Sequence, residues 1–214
     1  MQNTIITDKR EHILVAAEQL FGDQGFDGTS VRDIAQSARV NLAMISYYFG
    51  SKEKLLEALI EYRSKYTLGI LEELSKDESL SPWDKMYKLV DFYVDSIINN
   101  PQFHNIMHQQ AETARSAEIR ELITSLKLRN FEQIKKIITS GQRKKIFRKV
   151  DIALTMGSVM GTISQFTLSR DFSCRILNMD KTNEEVYRKK IAQRLKTHLK
   201  QLLRAHLDIK NEEQ

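Results

Sequence analysis

His104, His108 and Glu112 stand at i, i+4 and i+8, so a helix carrying them would present two imidazoles and a carboxylate on one face. That donor set can chelate a divalent metal. The order is not the His-Glu-x-x-His of a metalloprotease, and no second ligand-bearing segment is visible, so no metal site is expected. Cys174 is the single cysteine of the chain. It has no second thiol to pair with and no sequence-visible base to activate it. A phosphate-cradling glycine loop and a nucleophile elbow are both missing. The expectation is therefore no catalytic residue, no cofactor and no enzymatic activity.

The formal net charge of +5 invites an anionic partner, but its distribution matters more than its sign. Residues 1–65 hold eight Lys/Arg against nine Asp/Glu, whereas residues 127–149 hold nine against one and residues 181–210 nine against three. Bulk electrostatics thus gives the N-terminal part no help toward DNA, and any such role must rest on placed residues. The two basic stretches read as solvated helix faces and a loop. A lone cysteine and a polar start fit a reducing cytoplasm and not a secretory signal. The longest uncharged run, Ile152 to Ser169, carries Thr155, Ser158, Thr162, Ser164, Gln165, Thr167 and Ser169. It reads as a buried helix, and no membrane partner is expected.

These residues must be positioned by helices. With two prolines and eight glycines in 214 residues, and apolar positions at helical spacing, the fold is expected to be all-α. Ile13, Ala17, Leu20 and Phe21 mark a first amphipathic helix, ended by Gly22 and Gly25. Ser30 with Asp33 forms a capping-box pattern opening a short helix through Val31, Ile34, Ala35 and Ala38. After a tight turn at Arg39-Val40, Asn41 caps another short helix to Tyr48. Ser51 can cap a longer one whose stripe of Leu55, Leu56, Leu59 and Ile60 runs on toward Leu74. Ser81-Pro82-Trp83-Asp84 and Asn100-Pro101 open two more. The run from Ser116 to Ser140 is expected to end at Gly141, Asp151 and Asn183 to cap two final helices, and Asp208 to Gln214 to form a frayed tail.

Two short helices joined by a tight turn, with Ile34, Ala35, Val40 and Ile45 filling the angle between them, form a helix-turn-helix pattern. Through Gly28-Thr29-Ser30-Val31-Arg32-Asp33-Ile34-Ala35 to Val40, and through Tyr47-Tyr48-Phe49-Gly50-Ser51-Lys52-Glu53-Lys54-Leu55-Leu56, the sequence resembles the TetR/AcrR family of bacterial transcriptional regulators. The match is continuous over about residues 9–60. The resemblance implies a DNA-binding domain over residues 1–55, ordered from about residue 9, and a helical effector-binding and dimerisation domain over 56–214. It implies that Asn41 to Tyr48 enters the major groove, with Leu42, Ala43 and Met44 facing base edges and Arg32 reaching a base from the preceding helix. Thr29, Tyr47, Tyr48 and Lys52 would hold phosphates. Two positions depart from the family pattern: Arg39 stands where the turn usually has glycine, and Ser46 where the recognition helix usually has tyrosine. With few polar groups on that face, thymine methyls and DNA shape are expected to carry the reading.

Residues 81–207 hold no such motif. Trp83, Tyr87, Phe92, Tyr93, Phe103, Met107, Phe131 and Phe166 are the large side chains available to line a ligand pocket. All but Phe92 form the expected ligand-binding set. Met156, Gly157, Met160 and Gly161, together with Leu195, His198 and Leu202, are the expected dimer interface. The reading is a dimeric repressor that binds a palindromic double-stranded DNA operator and is released by a small-molecule effector. Its rivals are a helical-bundle metalloenzyme using His104, His108 and Glu112, and a ligand-independent DNA-binding or scaffold protein of the same fold.

Overall fold

The computed structural model describes residues 9–180 and 183–209. Its elements are α1 (Lys9–Gly28), α2 (Val31–Ser37), α3 (Leu42–Phe49), α4 (Lys52–Lys76), α5 (Pro82–Asn99), α6 (Pro101–Thr113), α7 (Ala117–Arg143), α8 (Ile152–Leu168), α9 (Arg170–Ile176) and α10 (Glu184–Leu207). Among the described residues the only β-type pairing is one isolated antiparallel bridge between Phe147 and Asp208. The fold is all-α.

Local chemistry explains where the helices begin. The Ser30 hydroxyl accepts from the Asp33 amide at 3.2 Å while the Asp33 carboxylate accepts from the Ser30 amide at 2.9 Å, a reciprocal box that starts α2. Ser81 and Asp84 repeat it at α5, with Pro82 supplying a preset φ in the first turn. Asn41, Ser51, Asp151 and Asn183 each accept an amide of the following turn, as their residue types predict.

Glycine proves a poorer guide to helix ends. Gly22 stays helical: a Cβ there would lie 2.5 Å from the Gln102 Cβ, so its role is to let α6 approach α1. The break falls at Gly25, with φ 77°, and the chain coils on to Gly28. Gly141 likewise lies inside α7, which continues to Arg143; the Phe147 ring occupies the space its Cβ would need. The left-handed residue after that helix is Lys145, φ 54°. A further helix, α9, lies between the two expected at the C-terminus. Asp208 is bridged to Phe147 and paired with Arg204 at 2.8 Å, so the tail does not fray there. The rest of the expected tail, from residue 210, lies outside the described residues.

The chain forms two compact units. The first comprises residues 1–66 and 102–127. Its core gathers Ile13, Ala17 and Phe21 of α1, Ile34 and Ala35 of α2, Ile45 and Phe49 of α3, the Leu55/Leu56/Leu59/Ile60 stripe of α4, and Ile106, Ile119 and Ile123. The second comprises residues 67–101 and 128–214. There α5 and α10 pack along their length, joining Met86, Val90, Val94 and Ile97 to Ile191, Leu195, Leu199 and Leu203, with Ile134, Ile138 and Ile163 closing the core. Lys196–Asp95 at 2.6 Å and Lys200–Asp91 at 2.7 Å pair across the rim of that packing.

Candidate nucleic-acid interface

The α2–turn–α3 pair is fixed from below. Ile34, Ala35 and Ile45 are buried, Val40 packs against them, and the Val40 amide donates to the Ala35 carbonyl at 3.0 Å to close the turn. Closing it places Arg39 at φ 54°, a left-handed conformation that a residue with a Cβ adopts at a cost of roughly 1 kcal/mol. Because Ile45 and Phe49 face inward, α3 turns Leu42, Ala43, Ser46 and Tyr47 to solvent. Tyr47 is 83% exposed and leans edge-on against Tyr48, their ring centroids 5.2 Å apart. Met44 and Tyr48 are half-buried at the margin, and Arg32 is exposed on α2. An apolar and aromatic face held out to water on a rigid helix is shaped to be covered by something.

Ser46 shares this open face, although its short side chain drew no role from sequence. The signal was present: it stands four residues after Leu42 and three after Ala43, hence on the same side of a helix.

Two of the residues expected to hold phosphates are engaged within the chain. The Thr29 hydroxyl is buried and donates to the Gly25 carbonyl at 2.8 Å and the Leu20 carbonyl at 3.2 Å, fastening the end of α1. Lys52 donates to the carbonyls of Phe26 at 2.9 Å and Thr29 at 3.0 Å, with its ammonium 4.2 Å from the centre of the Phe26 ring. Lys52 thereby ties the end of α1 to the start of α4, bracketing the two short helices. Nearby carboxylates stay ionised. The Ser30 hydroxyl and amide hold Asp33 below its ordinary pKa, and backbone and Ser51 hydrogen bonds do the same for Glu53. Each offsets the positive end of its own helix, so side chains more than helix termini must attract the phosphates.

The expected ligand-pocket residues do not line one common cavity, although Trp83 and Tyr87 are in ring contact. Phe103 and Met107 pack in the first unit's core. In the second, Trp83 sits edge-on to Phe147 at 4.7 Å beneath the Arg204 guanidinium and beside Tyr87, Phe131 lies below Lys135, and the Phe166 carbonyl accepts from the Tyr187 hydroxyl. Tyr93 alone of the set lines an apolar cavity of about 30 Å³, with Met86, Ile138, Met156, Met160 and Leu203. Desolvation pushes its phenol well above the ordinary tyrosine range.

The expected dimer residues divide as well. Leu195 is only 3% exposed and belongs to the core between α5 and α10, while Met156 and Met160 face the cavity. Gly157, Gly161 and His198 are exposed, Leu202 is 39% exposed, and nothing lies within 4 Å of where a Cβ would stand on either glycine. Leu154, absent from the expected set, is 71% exposed on the same stripe of α8. On α6, His104 is half-buried and its pKa falls from 6.5 to about 4, first through desolvation and then through the charges of His108 and Lys127. His108 and Glu112 are exposed. Among the described residues, no group of three or more His, Cys, Asp or Glu side chains is placed to hold a metal.

Residues 13–59 match the bacterial regulatory proteins of the tetR family, and residues 82–197 match the tetracyclin repressor-like C-terminal domain. The chain belongs to the TetR family. It is 31% identical over 156 residues to the HTH-type transcriptional repressor NicS of Pseudomonas putida, covering 71% of each chain. The probable HTH-type transcriptional regulator YttP of Bacillus subtilis is 31% identical over 137 residues, 64% of this chain and 66% of YttP. Among solved structures, HlyIIR, a hemolysin II transcriptional regulator, superposes with a TM-score of 0.62 at 26% identity, over 90% of this chain and 97% of HlyIIR. This TetR-family chain is a DNA-binding transcriptional regulator, and α2 and α3 are its helix-turn-helix. Among the described residues, no helix is long and apolar enough to cross a membrane.

Proposed function

We propose that the regulator is a homodimeric repressor, not an enzyme, that reads a palindromic operator with the exposed face of α3. Residues 1–55 carry the duplex contacts, and residues 56–214 dimerise and receive the effector. The observation that supports this best is the uncovered Leu42, Ala43, Ser46 and Tyr47 face, held rigid by the α2–α3 core. Leu42 and Met44 read bases, Arg32 reaches a base edge, and Tyr47 and Tyr48 set the helix against the phosphate backbone, with Lys52 bracing it from within the chain. Two such faces related by a two-fold axis demand an inverted repeat.

Dimerisation is assigned to the open stripes Leu154, Gly157 and Gly161 on α8 and His198 and Leu202 on α10. Small residues there allow close approach of a second copy, and the leucines supply apolar area that a monomer leaves wet.

The effector would enter the Tyr93 cavity. At about 30 Å³ this cavity takes little more than a water-sized group, so entry requires Met156 and Met160 to swing aside, which flexible thioethers do at low cost. That small volume also favours a second reading, a regulator of the same fold that needs no effector. Selection of binding sites from random duplexes tests the first part: enriched inverted repeats are expected, and exclusively asymmetric sites would overturn it.

A further inference from the structure

Four cations lie between residues 29 and 55: Arg32, Arg39, Lys52 and Lys54. Lys52 is engaged by the carbonyls of Phe26 and Thr29, and Lys54 pairs with Glu57 at 2.7 Å. Arg32 and Arg39 are exposed and, among the described residues, neither guanidinium makes a hydrogen bond or ion pair. With Arg32 assigned to a base edge, Arg39 is the cation left over. Its backbone is fixed. The Arg39 amide donates to the Gln36 carbonyl at 3.1 Å and the Val40 amide to the Ala35 carbonyl at 3.0 Å, while the Val40 side chain packs inward. Arg39 thus projects from a rigid point two residues ahead of Asn41, which caps α3. Lys145, in the turn after α7, shares its φ of 54°, so the left-handed conformation alone marks no function. What sets Arg39 apart is its place beside the helix that faces the duplex.

We infer that Arg39 holds a backbone phosphate of the duplex and so sets how α3 sits in the groove, an inference that rests on the helix-turn-helix reading and supplies the backbone cation it lacks. In this motif the first helix crosses the sugar-phosphate backbone and the second enters the major groove. The turn joining them therefore passes over the groove wall, where phosphates lie. Other groups there are occupied. The Ser30–Asp33 box places a carboxylate at the start of α2, and the Asn41 side chain accepts the Ala43 amide at the start of α3. The Thr29 hydroxyl is turned inward to the carbonyls of Gly25 and Leu20. A guanidinium offers a phosphate two parallel N–H donors, which an ammonium does not.

The test measures binding of the full-length protein to a duplex selected from random sequence, at several salt concentrations. Arg39→Asn removes the charge with a side chain that accepts the left-handed conformation, so the turn is kept. The slope of log affinity against log salt should fall by about 0.9 per half-site. Between about 50 and 200 mM salt, a wild-type dimer on two half-sites should then lose roughly tenfold more affinity than the variant. Preference among bases should stay the same. Arg39→Lys should keep the wild-type slope while binding less tightly. Arg39→Gly removes both charge and strain, so it should lose the same slope with an unfolding midpoint no lower than that of the wild type, which excludes a folding defect as the cause. An unchanged slope in Arg39→Asn, or an altered preference at one base pair, overturns the inference and leaves the helix-turn-helix reading intact. Absence of sequence-specific binding by the wild type overturns both.

Discussion

The Lys52 ammonium lies 3.0 Å from the Thr29 carbonyl oxygen and 2.9 Å from that of Phe26, so one cation joins the end of α1 to the start of α4. The Phe26 carbonyl also accepts the Thr29 amide at 3.3 Å, and charge-assisted hydrogen bonds of the kind Lys52 makes are each worth about 1.5–3 kcal/mol, less where water competes. Lys52→Ala should therefore lower the melting point of the protein and weaken all duplexes by a similar factor, through loss of the bracket that aims α3. Binding to an operator and its single-base variants checks this; a changed preference at one base pair would place Lys52 in the groove instead.

Tyr47 separates binding from stability in the opposite sense. With most of its surface in water, Tyr47→Ala should change unfolding free energy by no more than ~0.5 kcal/mol while costing about tenfold or more in duplex affinity. Changing Leu42 or Met44 should instead alter preference among bases by ~1–3 kcal/mol at the affected pair and leave the salt dependence intact. A melting point that falls with Tyr47→Ala would show the ring packed, not presented.

Gly141 and Phe147 form a lock between the end of α7 and the following turn. Phe147 is buried and edge-on to Trp83, and it stands where a Gly141 side chain would be. Gly141→Ala should overpack this contact and destabilise by ~1–3 kcal/mol, and Phe147→Ala should cost ~3–5 kcal/mol by leaving a cavity. Chemical denaturation measures both. A neutral Gly141→Ala would require the ring to move freely, contrary to its packing.

Legibility followed the range of the forces involved. The caps at Ser30, Asn41, Ser81, Asp151 and Asn183 were readable because each acts over two or three residues. The strained turn at Arg39 was readable because the resemblance set glycine there. Gly22 and Gly141 misled because their purpose is tertiary: each leaves room for a partner, Gln102 or Phe147, that spacing alone does not place. The stripe on α10 was seen, but which of its leucines face inward depends on where α5 lies, so Leu195 went to the core and Leu202 to the surface. The eight aromatics and methionines were too common a set to reveal that Tyr93 is the one lining the apolar cavity beside Met156 and Met160.

That division gives a paired test of the dimer surface. Leu154→Arg, on an open stripe, should yield folded monomers with weakened operator binding, and Gly161→Leu should do the same by holding a second copy away. Leu195→Ala should instead lose about 2–5 kcal/mol of stability, because it empties core volume inside one chain. Sedimentation with parallel thermal melts distinguishes them. A Leu154→Arg protein that remains dimeric would move the interface off α8.

His104 should make the fold acid-sensitive. Its side chain titrates near 6.5 when unfolded but near 4 when folded, because desolvation and the neighbouring His108 and Lys127 charges disfavour its cation. Above about pH 6.5 both states are neutral at this site and its contribution is fully present. As the pH falls through the window between those values, the unfolded chain takes up a proton that the folded chain refuses, so stability falls by up to about 1.4 kcal/mol per pH unit. Below about pH 4 both states are protonated and the slope from this group ends. Asp33 and Glu53 are held below their ordinary values and lose their contributions on further acidification, so the wild type must be compared with His104→Gln, which should remove only the histidine component. Denaturation curves at several pH values give that difference, and the ring-proton resonance of His104 gives the folded pKa directly. A His104 resonance titrating near 6.5, or identical pH profiles for the two proteins, would show the imidazole to be hydrated and without effect on acid stability.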